Sequence, residues 1–165
     1  MLVLRALLAF LALPGLVAFA APLLLIWPRP LHTAFSGSGF AVLAIGVVLL
    51  LWCVRDFYVA GRGTLAPWDP PRHLVVTGLY RFSRNPMYVA VFMVLLGWAI
   101  GFRSPLLGAY ALAVLVAFHL RVVFGEEPWL AQTHGEAWTR YAREVPRWLG
   151  VFRRGAHSRS DAVEF

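Results

Sequence analysis

The chain has 165 residues, 60% of them hydrophobic and 14% charged, against roughly half apolar and a quarter charged in a soluble domain. That length suits one compact domain, and the charge is too sparse to coat a water-facing surface; a disordered or collagen-like chain is excluded. The net charge of +7 comes from 15 arginines against eight acidic residues. These arginines sit between long apolar runs rather than along one continuous basic face, which argues against nucleic acid and for a membrane protein with basic flanks. The single cysteine, Cys53, lies in an apolar run and by itself supports neither a disulfide nor a metal site.

Taken in chain order, the runs predict an all-α integral membrane domain over residues 1–150 with about four transmembrane helices. The first is expected over about 6–27, longer than the roughly 20 residues a span requires. Pro14 and Pro22 fall inside it, which membrane helices tolerate. Arg5 followed by this run and by Ala18-Phe19-Ala20 also fits a cleavable signal peptide. After Trp27-Pro28-Arg29-Pro30 and Ser36-Gly37-Ser38-Gly39, the second span is expected over about 39–58. Pro86 opens the third, about 86–102, and the fourth covers about 104–125. Only Gly101-Phe102-Arg103-Ser104 joins those two, so they should form a tight antiparallel pair.

Pro128 disfavours helical geometry at Glu127 and has no amide proton to donate. This predicts a break, then a new amphipathic helix over about 128–144 that lies on the membrane or over the middle loop. Leu130, Trp138, Tyr141 and Val145 recur along it at helical spacing, and Trp129, Trp138 and Trp148 suit an interfacial position. Residues 151–165 are polar and read as a disordered tail. Arginine counting orients the chain. Arg62, Arg72, Arg81 and Arg84 in the middle loop and Arg140, Arg143 and Arg147 in the C-terminal segment share one side with Arg5, whereas the other side has Arg29 and Arg103. The positive-inside bias makes the richer side cytoplasmic.

The polar chemistry collects in two places on that side. The loop from Gly61 to Tyr88 is long for a plain connection, and its aromatic and apolar residues should fold it back onto the helix ends. Within it, Arg84 suits a phosphate or carboxylate, Asn85 suits a cap on the third helix, Tyr80 and Tyr88 are by default interfacial aromatics, and His73 could titrate. The second place is Glu126-Glu127 at the end of the fourth span. Carboxylates there oppose the helix dipole and need compensation. In an unbroken helix His119 and Glu126 are seven apart and share one face, pointing a histidine and a carboxylate at the bundle; ionisable groups at that depth mark a functional site. No Cys/His cluster has metal-ligand spacing, and no glycine-rich phosphate loop or Ser/His/Asp set is present.

The stretch Gly78-Leu79-Tyr80-Arg81-Phe82-Ser83-Arg84-Asn85-Pro86-Met87-Tyr88, then Glu126-Glu127-Pro128-Trp129-Leu130, then Gly135-Glu136-Ala137-Trp138, Tyr141 and Val145-Pro146, resembles the isoprenylcysteine carboxyl methyltransferase and phospholipid methyltransferase group of integral membrane enzymes. The resemblance covers roughly residues 60 to 150. It implies S-adenosylmethionine as cofactor, contacted by Arg72, His73, Leu74, Val75, Tyr80, Asn85, Pro86, Met87 and Tyr88, with a carboxylate contact from Glu126. It places an amphipathic C-terminal helix over the cofactor site. The eukaryotic carboxyl methyltransferases have histidine where this chain has Asn85, as many bacterial relatives do not. An arginine that contacts the substrate carboxylate in that subgroup falls one position from Arg121. The implied protein is an integral component of a bacterial cytoplasmic membrane, with the site facing the cytoplasm, the bilayer and a lipophilic acceptor as partners, and no nucleic acid.

The chemistry is consistent with that implication. A carboxylate can bind the amino group or ribose hydroxyls of the cofactor through charge-assisted bonds, and tyrosine faces can stabilise a sulfonium. Positioning supplies much of the rate of a methyl transfer. A carboxylate acceptor needs no base, whereas an amine must lose a proton, for which His119, His73 and Glu127 are candidates; Arg84 and Arg121 are the arginines that could serve the acceptor. Two other readings compete: an NADPH-dependent membrane reductase of the sterol-reductase type, which shares a similar Arg-Asn-Pro-x-Tyr element, and a non-catalytic membrane scaffold.

Overall fold

The structure, a computed structural model, describes residues 11–27, 35–61 and 74–149. No strand occurs among the described residues. Helix α1 starts π-wound over Leu11–Ala20 and continues over Ala21–Ile26. Pro22 explains what staples it to its neighbours. Without an amide proton, it leaves the carbonyl four residues back, Ala18, without its α-helical partner, and the carbonyl five back, Val17, without its π-helical partner. Trp98 Nε1 donates to the Ala18 carbonyl at 3.0 Å, and the Tyr110 hydroxyl donates to that of Val17 at 3.1 Å. Neighbouring helices commonly satisfy backbone freed by proline inside membranes in this way.

Helix α2 (Gly37–Gly61) is capped by Ser36, whose Oγ accepts the Gly39 amide at 3.1 Å. The Ser36 amide in turn donates to the Gly101 carbonyl at the end of α3 (Pro86–Gly101). Helices α2 and α3 form the most extensive interface of the bundle, and small residues permit it. A Cβ on Gly46 would lie 2.7 Å from the Val94 amide nitrogen, and one on Gly97 would lie 2.6 Å from the Leu43 Cα. The backbones therefore touch where side chains would otherwise hold them apart. The core draws Ala18 from α1, Leu50 from α2, Ala90, Val91, Val94 and Leu95 from α3, and Ala111 from α4 (Pro105–Arg121).

The turn between α3 and α4 has the expected tightness. Arg103 takes the left-handed conformation at φ 49, and the Ser104 and Arg103 amides return to the Ala99 and Ile100 carbonyls, a Schellman closure. Among the described residues, two helical segments are long and apolar enough to cross a membrane, Gly37–Asp56 and one within Pro105–Glu144; Pro14–Ile26 and Pro86–Gly101 are apolar but shorter. Leu112, Val116, Leu120 and Phe124 form an exposed stripe at four-residue spacing, the outward face of a helix in lipid rather than in water.

The break expected at Pro128 does not occur. Helix α4 passes through a π turn, Val122–Glu126, directly into α5 (Glu127–Glu144), with helical angles at both Glu126 and Glu127. Pro128 falls in the first turn of α5, where its missing donor is least costly, and the Glu127 amide reaches five residues back to the Val122 carbonyl. The interruption comes instead at Gly135, whose φ of 52 and ψ of −121 lie outside helical space in a region glycine enters freely. Beyond it Trp138, Tyr141 and Val145 pack on Leu74 and Leu130, so α5 lies over the middle loop. Trp138, expected at an interface, is buried. Residues 1–10, the expected tail 151–165, and the site candidates Arg72 and His73 lie outside the described residues.

Candidate active site at the ends of α3, α4 and α5

The two adjacent glutamates face different neighbours. Glu127 accepts from Arg147 twice, Nε to Oε1 at 2.9 Å and Nη2 to Oε2 at 2.7 Å, and Arg84 Nη1 approaches the same Oε1 at 3.0 Å. Arg84 also lies over the Trp138 ring, 5.6 Å from its centroid, a cation–π contact. Burial pulls the Arg84 guanidinium below its ordinary proton affinity, and Glu127 opposes that pull. Arg147 is raised, chiefly by its hydrogen bond to Glu127. Both carboxylate oxygens of Glu127 are therefore engaged by guanidinium donors. That arrangement fits an anchor rather than a proton acceptor, so the base role considered for Glu127 finds no support in its surroundings.

The backbone around Arg84 and Arg147 is stitched as well. The Arg84 amide donates to the Pro146 carbonyl at 2.9 Å. Asn85 Nδ2 donates to the Arg147 carbonyl at 3.0 Å, and Ser83 Oγ reaches the same carbonyl at 3.4 Å. Asn85 occupies the N-cap position of α3, yet its side chain makes no capping bond; the amide is spent on the C-terminal segment. The Asn85 amide proton goes to Ser83 Oγ at 3.1 Å.

Glu126 lies nearer the rim, with its side chain 32% exposed against 15% for Glu127. Its Oε1 accepts from the Tyr88 hydroxyl on α3 and from Arg121 Nε at 2.7 Å. Residues that stack along an α-helix are three or four apart. Arg121 and Glu126 are five apart, and the π turn between them, with its i to i+5 bonding, brings them together. Phe118 covers one face of the Tyr88 ring, with centroids 4.3 Å apart.

The same π turn removes His119 from this group. With the extra residue in the turn, positions seven apart no longer align. His119 is exposed, and its Nδ1 accepts from Trp148 Nε1 at 3.3 Å, with the two rings stacked. The expectation that it faces the bundle beside Glu126 is therefore corrected.

The loop closes the remaining side. Val75 and Tyr80 are buried against Cys53 of α2, with Met87 packed on the cluster, and Pro86 is buried at the start of α3. The Tyr141 hydroxyl donates to the Tyr80 carbonyl at 2.7 Å. Burial raises the phenols of both Tyr80 and Tyr141. Tyr80 is thus a wall of the loop, its ring enclosed by protein rather than offered to a ligand. Sequence reasoning did not single out Arg147, Ser83, Tyr141 or Trp138 as members of this constellation. Nor did it notice Asp56, buried at the end of α2 with Oδ2 unpartnered and covered by Gly78 at φ 57, where any Cβ would collide with the carboxylate. Gly78, Ser83, Trp138, Tyr141 and Pro146 all stand in the motif stretches quoted above.

Among the described residues, Tyr88, Arg121 and Glu126 make one polar group; Arg84, Asn85, Glu127 and Arg147 make a second; both lie where the loop, α3, the π turn and the C-terminal segment converge. No curated protein and no solved structure matches the chain. The family model described as phospholipid methyltransferase matches residues 35–137, which take in α2, the loop, α3, α4, both glutamates and most of α5. With that match across more than half its length, the chain belongs to the phospholipid methyltransferase family.

Proposed function

We propose that the chain transfers a methyl group from S-adenosylmethionine to a lipophilic acceptor at the cytoplasmic face of a membrane. The observation that carries this reading is Glu126: within the region matched by a lipid-methylating family, it is a partly exposed carboxylate whose bonds to Tyr88 and Arg121 both fall on Oε1. Oε2 is the atom that would receive the donor's amino group or ribose hydroxyls, through charge-assisted bonds. When bound, S-adenosylmethionine supplies an electrophilic methyl group on a cationic sulfur.

The chain's own residues then have separable tasks. Tyr88, braced by Phe118, holds the Glu126 carboxylate in place. Glu127, Arg84 and Arg147 lock α5 and the segment after it over the loop, which limits water at the reacting centre and fixes donor and acceptor in line. Leu74, Val75, Tyr80, Pro86 and Met87 shape the apolar wall, and Asn85 holds the segment at Arg147. Arg72 and His73, named by the resemblance, belong to the same loop. An amine acceptor would have to hand its proton to a base, whereas a carboxylate acceptor needs none.

In this reading α1 to α4 all cross the bilayer, with the short α1 and α3 completed by their interfacial ends. Arg81, Arg84, Arg140, Arg143 and Arg147 lie at the site end, while Arg103 lies at the α3–α4 turn. The positive-inside bias puts the site end in the cytoplasm, where the soluble donor is available, and the acceptor arrives through the lipid. The test titrates the purified chain in detergent with S-adenosylmethionine and, separately, NADPH, reading thermal stabilisation. Stabilisation by S-adenosylmethionine is expected. Stabilisation by NADPH alone would select a reductase, and stabilisation by neither would leave a scaffold. Labelled methyl donor with bacterial lipid extracts then identifies the acceptor.

A further inference from the structure

We propose that Arg121 is a resident cation on Glu126, the carboxylate that receives the cofactor, and pairs with it until the α-amino group of S-adenosylmethionine displaces it. The inference rests on the methyltransferase reading and deepens it. Three features carry it. The guanidinium Nε lies 2.7 Å from Glu126 Oε1, so the carboxylate already has a balancing cation. The Arg121 side chain is 52% exposed, whereas Glu126 is 32% exposed and is also held by the Tyr88 hydroxyl, on the same Oε1. The arginine is therefore the partner free to leave. Lastly, the pair exists because of the π turn Val122–Glu126, a winding that recurs at functional sites and that here serves to seat a side chain five positions away.

A carboxylate that already carries a guanidinium draws a second cation less strongly, because the two cations repel across it. An ammonium arriving at Oε2 gains little while Arg121 stays, and gains the full charge-assisted bond once the guanidinium swings into solvent, where its hydration is restored. The neighbouring pair does not share this property. Arg84 and Glu127 are 13% and 15% exposed, Arg147 holds both Glu127 oxygens as well, and Glu127 cannot leave without stranding Arg84. The two glutamates thus divide the work, Glu127 as a fixed anchor and Glu126 as an exchangeable seat. Arg121 sets donor affinity by competition.

The test compares equilibrium binding of S-adenosylmethionine to the full chain and to Arg121→Gln in detergent. Removing an exposed competitor should tighten binding roughly threefold to tenfold. 5′-Methylthioadenosine, which lacks the amino group, should bind both proteins equally. Unchanged or weaker S-adenosylmethionine binding in the variant, or equal tightening of methylthioadenosine, would overturn the exchange. A measurement on the unaltered chain guards against a variant that does not fold. Phenylglyoxal modification of Arg121, located by peptide mass spectrometry, should accelerate when S-adenosylmethionine is added, and protection or no change overturns the proposal. Failure of S-adenosylmethionine to bind the unaltered chain at all would instead sink the methyltransferase reading.

Discussion

Arg147 grips Glu127 with two nitrogens on two oxygens, at 2.9 and 2.7 Å, and in doing so ties the segment after α5 to the helix's own first turn. The fork geometry is one that only arginine offers a carboxylate. Arg147→Ala should lower stability by about 1–2 kcal/mol, between the values for exposed and buried pairs. Arg84 remains on Glu127, which keeps the loss below that of a stranded buried charge. Arg147→Lys should recover little, because an ammonium cannot span both oxygens. Thermal unfolding of the three proteins in one detergent measures the order, and full rescue by lysine would show that charge alone matters.

Glu126→Gln keeps the shape of the side chain and removes its charge. If this carboxylate receives the donor's amino group, affinity for S-adenosylmethionine should fall by about 1–3 kcal/mol, the range for a hydrogen bond to a charged group. Tyr88→Phe should weaken binding less, since it removes only the tether on Glu126. Isothermal titration distinguishes the two, and unchanged affinity in Glu126→Gln would remove that residue from the donor site.

The helices, the short α3–α4 turn and the family were legible in the residues because apolar runs and the spacing of the Tyr80–Tyr88 and Glu126–Val145 patterns are local features. What escaped depends on contacts between distant segments. Pro128 announced a break, but the chain absorbed it in a π turn that also lets Arg121 reach Glu126. That same winding turned His119 outward, which a uniform helical wheel could not anticipate. Trp138 looked interfacial by composition and is buried among Leu74, Leu130, Tyr141 and Val145, with Arg84 from the distant loop over its ring. Asn85 had the identity of a cap, yet its amide was claimed by the Arg147 carbonyl. The resemblance named Glu126 through its motif and left Glu127 as a candidate base, and the fold gives Glu127 two arginines instead.

Gly78 and Asp56 test how the loop is seated on α2. Gly78 has φ 57, and a Cβ there would run into the Asp56 carboxylate. Gly78→Ala therefore combines a left-handed backbone cost of about 1–2 kcal/mol with a steric clash, and should lower the melting temperature and donor binding together. Adding Asp56→Ala removes the clash but not the backbone cost. The double variant should be more stable than the sum of the two single changes implies, the coupling expected of residues in contact. Strict additivity would mean that Gly78 matters through its backbone alone.

Tyr141 links α5 to the loop through its hydroxyl on the Tyr80 carbonyl, at 2.7 Å, and gives the fold an alkaline limit. Burial raises its phenol above the ordinary value of 10.0. In the unfolded chain this phenol ionises near that ordinary value, while in the folded chain it stays neutral to higher pH. Its contribution is thus complete below about pH 10 and is lost as pH rises through the folded value. The buried Tyr80 phenol, raised by the same cause, acts in the same direction. Tyr141→Phe should cost about 1–2 kcal/mol at neutral pH through the lost hydrogen bond and should flatten the decline of stability above pH 10 without abolishing it, because Tyr80 still titrates. Thermal unfolding followed from pH 7 to pH 11 in both proteins checks the slope; parallel curves would show that Tyr141 acts as a hydrogen-bond donor only.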